Sequence, residues 1–143
     1  MSEVVQRTKE DVEDIAAGLK LVCLFPRNIE LVLDIDLPGG KYDVDVLGCL
    51  LDNDFGLISE ITTKSAGGNA HWYLRFNRTF QALERMGYQA ALGSDPKKEA
   101  LSLIRHREGN GSAACAMFET KVSALLVSRW RNKWDAKFKG EEA

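Results

Sequence analysis

The sequence predicts an α+β domain in which helices pack on a mixed, largely antiparallel sheet. Three observations carry that expectation. Residues Ile29 to Asp36 alternate with period two; Leu57 to Lys64 and Ala70 to Phe76 flank a glycine-bearing turn; and apolar residues recur at helical spacing before, between and after these strands. The order α-β-α-β-β-α-α-β-α lacks the regular alternation of a doubly wound parallel sheet.

Each element has its own signal. Thr8-Lys9-Glu10-Asp11 makes a capping start, and Val12, Ile15, Ala16, Leu19 and Val22 follow at helical spacing, so a first helix is expected to run until Pro26. Ile29 to Asp36 reads as a strand with its acids on one face, ended by Pro38-Gly39-Gly40. A second helix is expected from Asp43 to Leu51, broken by Asp52-Asn53-Asp54-Phe55-Gly56. The two strands around Ser65-Ala66-Gly67-Gly68-Asn69 read as an antiparallel hairpin. Arg78 to Met86 is then expected as a short helix closed by Gly87. Ser94-Asp95-Pro96 opens another helix, with Ala100, Leu101 and Ile104 facing inward. After the loop Gly109 to Ser112, Ala113 to Phe118 is the last expected strand. Val122, Leu125, Leu126, Trp130 and Trp134 then form the apolar side of a basic C-terminal helix over 120–139.

Composition places the chain among ordinary globular proteins. At 143 residues, 45% hydrophobic and 28% charged, it suits a single domain over 1–143 and excludes disorder along most of its length. Charge is unevenly distributed: Asn28 to Glu60 holds eight acids against Lys41, whereas Lys121 to Lys139 holds six cations against Asp135. An acidic region able to hold cations thus coexists with a basic one able to hold phosphates. Cys23, Cys49 and Cys115 are widely spaced and odd in number, which favours buried thiols in a reducing compartment over a disulfide framework. No run approaches the ~20 apolar residues of a membrane span, and MSEVVQRTKEDVED lacks the basic-then-apolar order of a signal peptide. A cytoplasmic protein without a membrane partner is expected.

Two constellations could carry chemistry. Asp34 and Asp36 alternate on a predicted strand, so their carboxylates project from one face with Cα atoms roughly 7 Å apart. Such a pair can share Mg²⁺ or Mn²⁺, the ions suited to phosphate chemistry. Asp-x-Asp also occurs at Asp43/Asp45 and Asp52/Asp54, where helix capping accounts for it. The second constellation runs from Thr62 to Tyr73: Lys64, Ser65 and two glycines can cradle an anion, and His71 can hydrogen-bond a phosphate or a reacting hydroxyl. A plain hairpin turn with a histidine at its rim explains the same residues. Arg105 is one of several basic residues nearby that could neutralise phosphates. Asp95 is a candidate third metal ligand as well as helix-start chemistry. On the C-terminal helix, Arg129, Trp130, Arg131 and Lys133 combine cations with a ring suited to stacking on bases.

Taken in order, these pieces resemble the archaeo-eukaryotic primase superfamily and its primase-polymerase relatives. That family's pattern is a strand ending in Asp-x-Asp, a glycine-containing strand-turn with a histidine, and a later acidic residue. Here those are Leu33-Asp34-Ile35-Asp36, Lys64 to Leu74 with His71, and Asp95, within roughly residues 28 to 105. The resemblance implies a primase-polymerase-like core and two-metal nucleotidyl transfer in DNA replication. Asp34 and Asp36 would bind Mg²⁺ or Mn²⁺, Asp95 would complete the metal site, and His71 would contact the incoming nucleotide's phosphates. The chain departs from the pattern at Asn69, where the family usually has serine two positions before the histidine, and in setting Asp95 at a helix start. It is also short for an active primase-polymerase, which describes a reduced or divergent member, and it has the look of a phage or mobile-element protein. The implied partner is a nucleotide or single-stranded nucleic acid. Two other readings use the same residues. One is a non-catalytic accessory module that binds a partner protein or nucleic acid through the basic C-terminal helix; the other is a metal-dependent nuclease with Lys64 stabilising charge.

Overall fold

A computed structural model describes residues 8–65 and 67–138. Ala66 of the hairpin turn, Lys139 of the expected C-terminal helix and the first seven residues lie outside the described residues. Helix α1 (Lys9–Gly18) begins as its sequence dictates. The Thr8 side chain accepts from the Asp11 amide at 3.2 Å, and the Asp11 carboxylate accepts from the Thr8 amide at 3.1 Å. Such a cap stabilises a helix by about 1 kcal/mol. The helix ends well short of Pro26 because Lys20 adopts a φ of 60° and the Leu21 amide bonds back to the Ala16 carbonyl at 2.8 Å. Val22 therefore belongs not to a helix but to strand β1 (Val22–Leu24).

Strands β2 (Glu30–Ile35), β3 (Leu57–Lys64) and β4 (Ala70–Phe76) form one sheet of order β2-β4-β3, and β1 pairs with β5 (Met117–Glu119) in a second. Every pairing is antiparallel, which corrects the mixed sheet expected from sequence. The reason is local. Strand β4 leaves β3 through a tight hairpin and inserts between β3 and β2, so these two strands, which run in the same direction and are joined by a crossover connection, never pair with each other.

Register divides the side chains of the three-stranded sheet between two faces. Glu30, Val32 and Asp34 stand opposite Arg75, Tyr73 and His71, while Leu31, Leu33 and Ile35 stand opposite Leu74, Trp72 and Ala70. The second face packs on Tyr42, on Leu47 of helix α2 (Val44–Leu51), and on Phe80 and Leu92. On the first face Val32 and Tyr73 meet Met86, Cys115, Met117, Val127 and Trp130. Each fully buried large apolar side chain contributes about 1.5–3 kcal/mol relative to exposure.

Helix α3 (Ala82–Ala91) starts and ends later than the spacing predicts. Phe80 is still held by its amide to the Asn28 carbonyl at 2.7 Å, and the Glu84 carboxylate accepts from the Gln81 amide at the true start. Gly87 lies within the helix; Gly93, with φ of 101°, makes the stop. This helix and the turn to α4 (Pro96–Arg107) close the open edge of β2. Arg85 Nε donates to the Glu30 carbonyl (2.9 Å), Gln89 Oε1 accepts from the Val32 amide (2.8 Å), and Ser94 Oγ accepts from the Asp34 amide (3.0 Å).

Two helices present faces other than those expected. In α4 the buried residues are Glu99 and Ser102, and Ala100 is exposed. The cause is polar: Glu99 accepts from Gln89 Nε2 at 3.0 Å, and Ser102 Oγ accepts from the Cys115 amide at 2.9 Å. In helix α5 (Lys121–Phe138) Ala124, Val127 and Trp130 turn inward, whereas Val122, Leu125 and Leu126 are 71%, 51% and 46% exposed. Arg131 sets that rotation by pairing with the fully buried Glu30, at 2.7 Å from Nη2 and 3.0 Å from Nε. Among the described residues no helix is long and apolar enough to cross a membrane.

Candidate functional site

The site grows from the cross-strand pair Asp34 and His71. Asp34 is the penultimate residue of β2, and its carbonyl accepts from the Asp95 amide at 2.8 Å. Together with the Ser94 bond, this clips the start of α4 to the strand end and places Lys97 and Lys98 on the same cleft as Asp34. Across the strand pair, His71 Nε2 lies 3.7 Å from Asp34 Oδ1, which also accepts from Asn69 Nδ2 at 3.1 Å. Asn69 is itself fixed by Ser65, whose Oγ accepts from its amide at 2.9 Å.

These elements enclose a cleft of about 560 Å³ whose walls include Asp34, Ser65, His71, Lys97, Lys98 and Arg105. Lys98 is notable there. Its ammonium is buried without a hydrogen-bond partner and meets the Glu99 carboxylate only at 3.8 Å. Glu99 Oε2 is likewise buried without a hydrogen-bond partner, so the pair is held by charge alone and leaves the ammonium's donors unused. Arg105 is anchored through Nη1 to the Ala113 carbonyl at 3.4 Å, so its guanidinium is part of a fixed wall. Comparison with protein-family models, with curated proteins and with solved structures finds no match to this chain.

Behind His71 stands a carboxylate that the sequence reading did not single out. Glu119 is fully buried, accepts from the Tyr73 hydroxyl at 2.5 Å and from Thr63 Oγ1 at 3.0 Å, and lies 3.1 Å from His71 Nδ1. Burial, and then the adjacent Glu119 charge, push the Tyr73 phenol well above its ordinary value, which keeps it a donor. Period two in β5 was the available signal, since it sets Glu119 on the same side as the buried Met117.

The remaining candidates are dispersed. Asp36 is exposed and borders a second cleft of about 820 Å³ with Lys64, Gly68 and Trp72, on the other side of the hairpin end. Asp95 lines the His71 cleft, but its carboxylate accepts from the Lys97 amide at 3.0 Å as the N-cap of α4. Asp34 and Asp95 therefore share one cleft, and Asp36 borders another. Among the described residues no group of three or more His, Cys, Asp or Glu side chains is placed to hold a metal ion.

The expected nucleic-acid face of α5 is divided. Trp130 is 8% exposed and donates from Nε1 to Ser59 Oγ at 2.9 Å, so its ring cannot stack on bases. Arg131 is taken up by Glu30 and by the Phe25 carbonyl at 3.0 Å. Only Arg129 and Lys133 of the four face outward, alongside Val122, Leu125 and Leu126.

Proposed function

We propose that this chain is a primase-like nucleotide- or nucleic-acid-handling domain acting in DNA replication, and that it seats the phosphate of its ligand in the His71 cleft. One observation supports the reading above others: Asp34 and His71, 3.7 Å apart, line one cleft together with Lys98, whose ammonium makes no hydrogen bond. A cation held ready for an anion, beside an imidazole and a carboxylate able to hydrogen-bond a sugar or water, suits a nucleotide better than an uncharged metabolite. The primase-polymerase-like core and a cytoplasmic setting belong to the same proposal; three unpaired cysteines accord with the latter. Asp36 borders a different cleft from Asp34 and Asp95, so no step is routed through a metal.

Calorimetric titration with ATP tests the reading. Saturable binding should weaken at least tenfold in Lys98→Met, weaken steeply with salt, and survive Asp36→Ala. Absence of binding would refute it, as would binding lost in Asp36→Ala or Lys64→Met but retained in Lys98→Met.

A second reading draws on the outer face of α5. Val122, Leu125 and Leu126 are exposed beside Arg129 and Lys133, which suits an accessory module that docks on an acidic partner protein through this helix. Under that reading Leu125→Asp with Leu126→Asp abolishes partner capture, while Lys98→Met leaves it intact.

A further inference from the structure

We infer that Glu119 is the positioning residue of the cleft: it fixes the His71 imidazole through Nδ1, so that Nε2 is the nitrogen offered to a ligand hydroxyl. The inference rests on the proposed function only in what it says of the ligand. Its structural part stands on the arrangement around a single carboxylate.

A glutamate with no exposed surface is costly unless its oxygens are satisfied. Glu119 projects from the last residue of β5 onto the sheet, and three side chains converge on it. Tyr73 and His71 come from alternate positions of β4, and Thr63 stands opposite His71 on β3. The Tyr73 hydroxyl holds Oε2, Thr63 Oγ1 sits 3.0 Å from both oxygens, and His71 Nδ1 lies 3.1 Å from Oε1. That last contact has hydrogen-bond length but not its alignment, so Nδ1 is buried without a hydrogen-bond partner and Glu119 Oε1 is the carboxylate oxygen it faces. Such contacts between a base and its orienting carboxylate commonly tighten when a ligand engages the ring.

The two ring nitrogens are thereby made unequal. A neutral imidazole carries its proton on one nitrogen, and the environment of the other decides which. A carboxylate can only accept, so the proton belongs on Nδ1, facing Glu119. Nε2, 3.7 Å from Asp34 Oδ1 and too far for a direct hydrogen bond, is left as an acceptor at the cleft. The roles then separate. Lys98 answers the phosphate charge, and His71 accepts a hydrogen bond from a hydroxyl on the sugar or from water.

Long-range ¹H–¹⁵N spectra of the imidazoles at mildly alkaline pH test this on the full chain. There are two histidines to assign, and His106→Gln removes the other signal. The wild-type protein should show His71 with its proton on Nδ1. In Glu119→Gln the amide oxygen stays with Tyr73 and the amide NH₂ faces the ring, so the proton should move to Nε2 and ATP affinity should fall about tenfold. A wild-type proton on Nε2 overturns the inference without any variant, and so does an unchanged pattern in folded Glu119→Gln. If the Nδ1 pattern holds while ATP fails to bind, the positioning role stands and the nucleotide reading falls.

Discussion

Replacing Arg131 with methionine should cost this protein about 3–5 kcal/mol, the magnitude that follows from orphaning a buried charge. Glu30 has no exposed surface, and its carboxylate is held by both Arg131 nitrogens, at 2.7 and 3.0 Å, with the Arg27 amide at 3.2 Å as its other donor. Methionine preserves the apolar stem and removes every charge-assisted bond, including that to the Phe25 carbonyl. The loss should lower the thermal midpoint by roughly 10–15 °C for a chain of this size. Urea unfolding followed by tryptophan fluorescence and circular dichroism measures it, with the denaturant slope unchanged. The double variant Glu30→Gln with Arg131→Met should recover at least half of the loss, because the unpaired charge is gone. Arg129→Met, on the exposed side of the same helix, should stay within about 0.5 kcal/mol of wild type. A loss below about 1 kcal/mol for Arg131→Met would refute the reasoning and return Arg131 to the pool of residues free to bind nucleic acid.

Other outcomes follow from single features. Asp95→Ala removes the N-cap bond to Lys97 and should cost about 1 kcal/mol while leaving ATP affinity intact; a collapse of affinity would give that carboxylate a ligand role instead. Of the three thiols only Cys49 is exposed, whereas burial pushes Cys23 up to about 11 and raises Cys115 as well. A native thiol titration should therefore show one fast-reacting group, and a second fast group would contradict the packing of β1 or of the segment before β5. Burial works against the charge of Asp135, but hydrogen bonds from Arg27 and Arg75 outweigh it and hold the carboxyl below its usual value. A depressed folded value means that its stabilisation is full above the unfolded aspartate value of about 3.9 and is lost as pH falls through the folded one. Asp135→Asn should accordingly be less stable than wild type near neutrality, with the gap closing below about pH 4. A gap that persists in acid would point to a cause other than charge.

Local chemistry made much of this fold readable. The β3–β4 hairpin needs only alternation and turn glycines, and the caps at Thr8, Asp43 and Asp95 announce their helices directly. What failed to show depends on distant partners. Helix α1 loses Val22 because Lys20 closes it in a left-handed conformation that glycine more often supplies. Helix α5 has apolar residues on two sides, and periodicity cannot choose between Leu125 and Val127; the choice is made by Glu30, about a hundred residues away in sequence. The candidate site divides the same way. Hairpin register and the strand signal at Asp34 brought Asp34 and His71 into view. Glu119 and the buried state of Lys98 arise from the packing of β5 and α4 against the sheet, which no local pattern encodes. Asp34 and Asp36 border different clefts because alternation fixes a face only while the strand continues, and β2 ends at Ile35.

Backbone amide shift mapping during an ATP titration tests the central claim most directly, because it reports which surface the ligand meets. The account predicts perturbations concentrated at Ser65, Gly67, His71, Lys97 and Lys98. Shifts centred instead on Asp36, Gly40 and Trp72, or along Val122, Leu125 and Arg129, would contradict it.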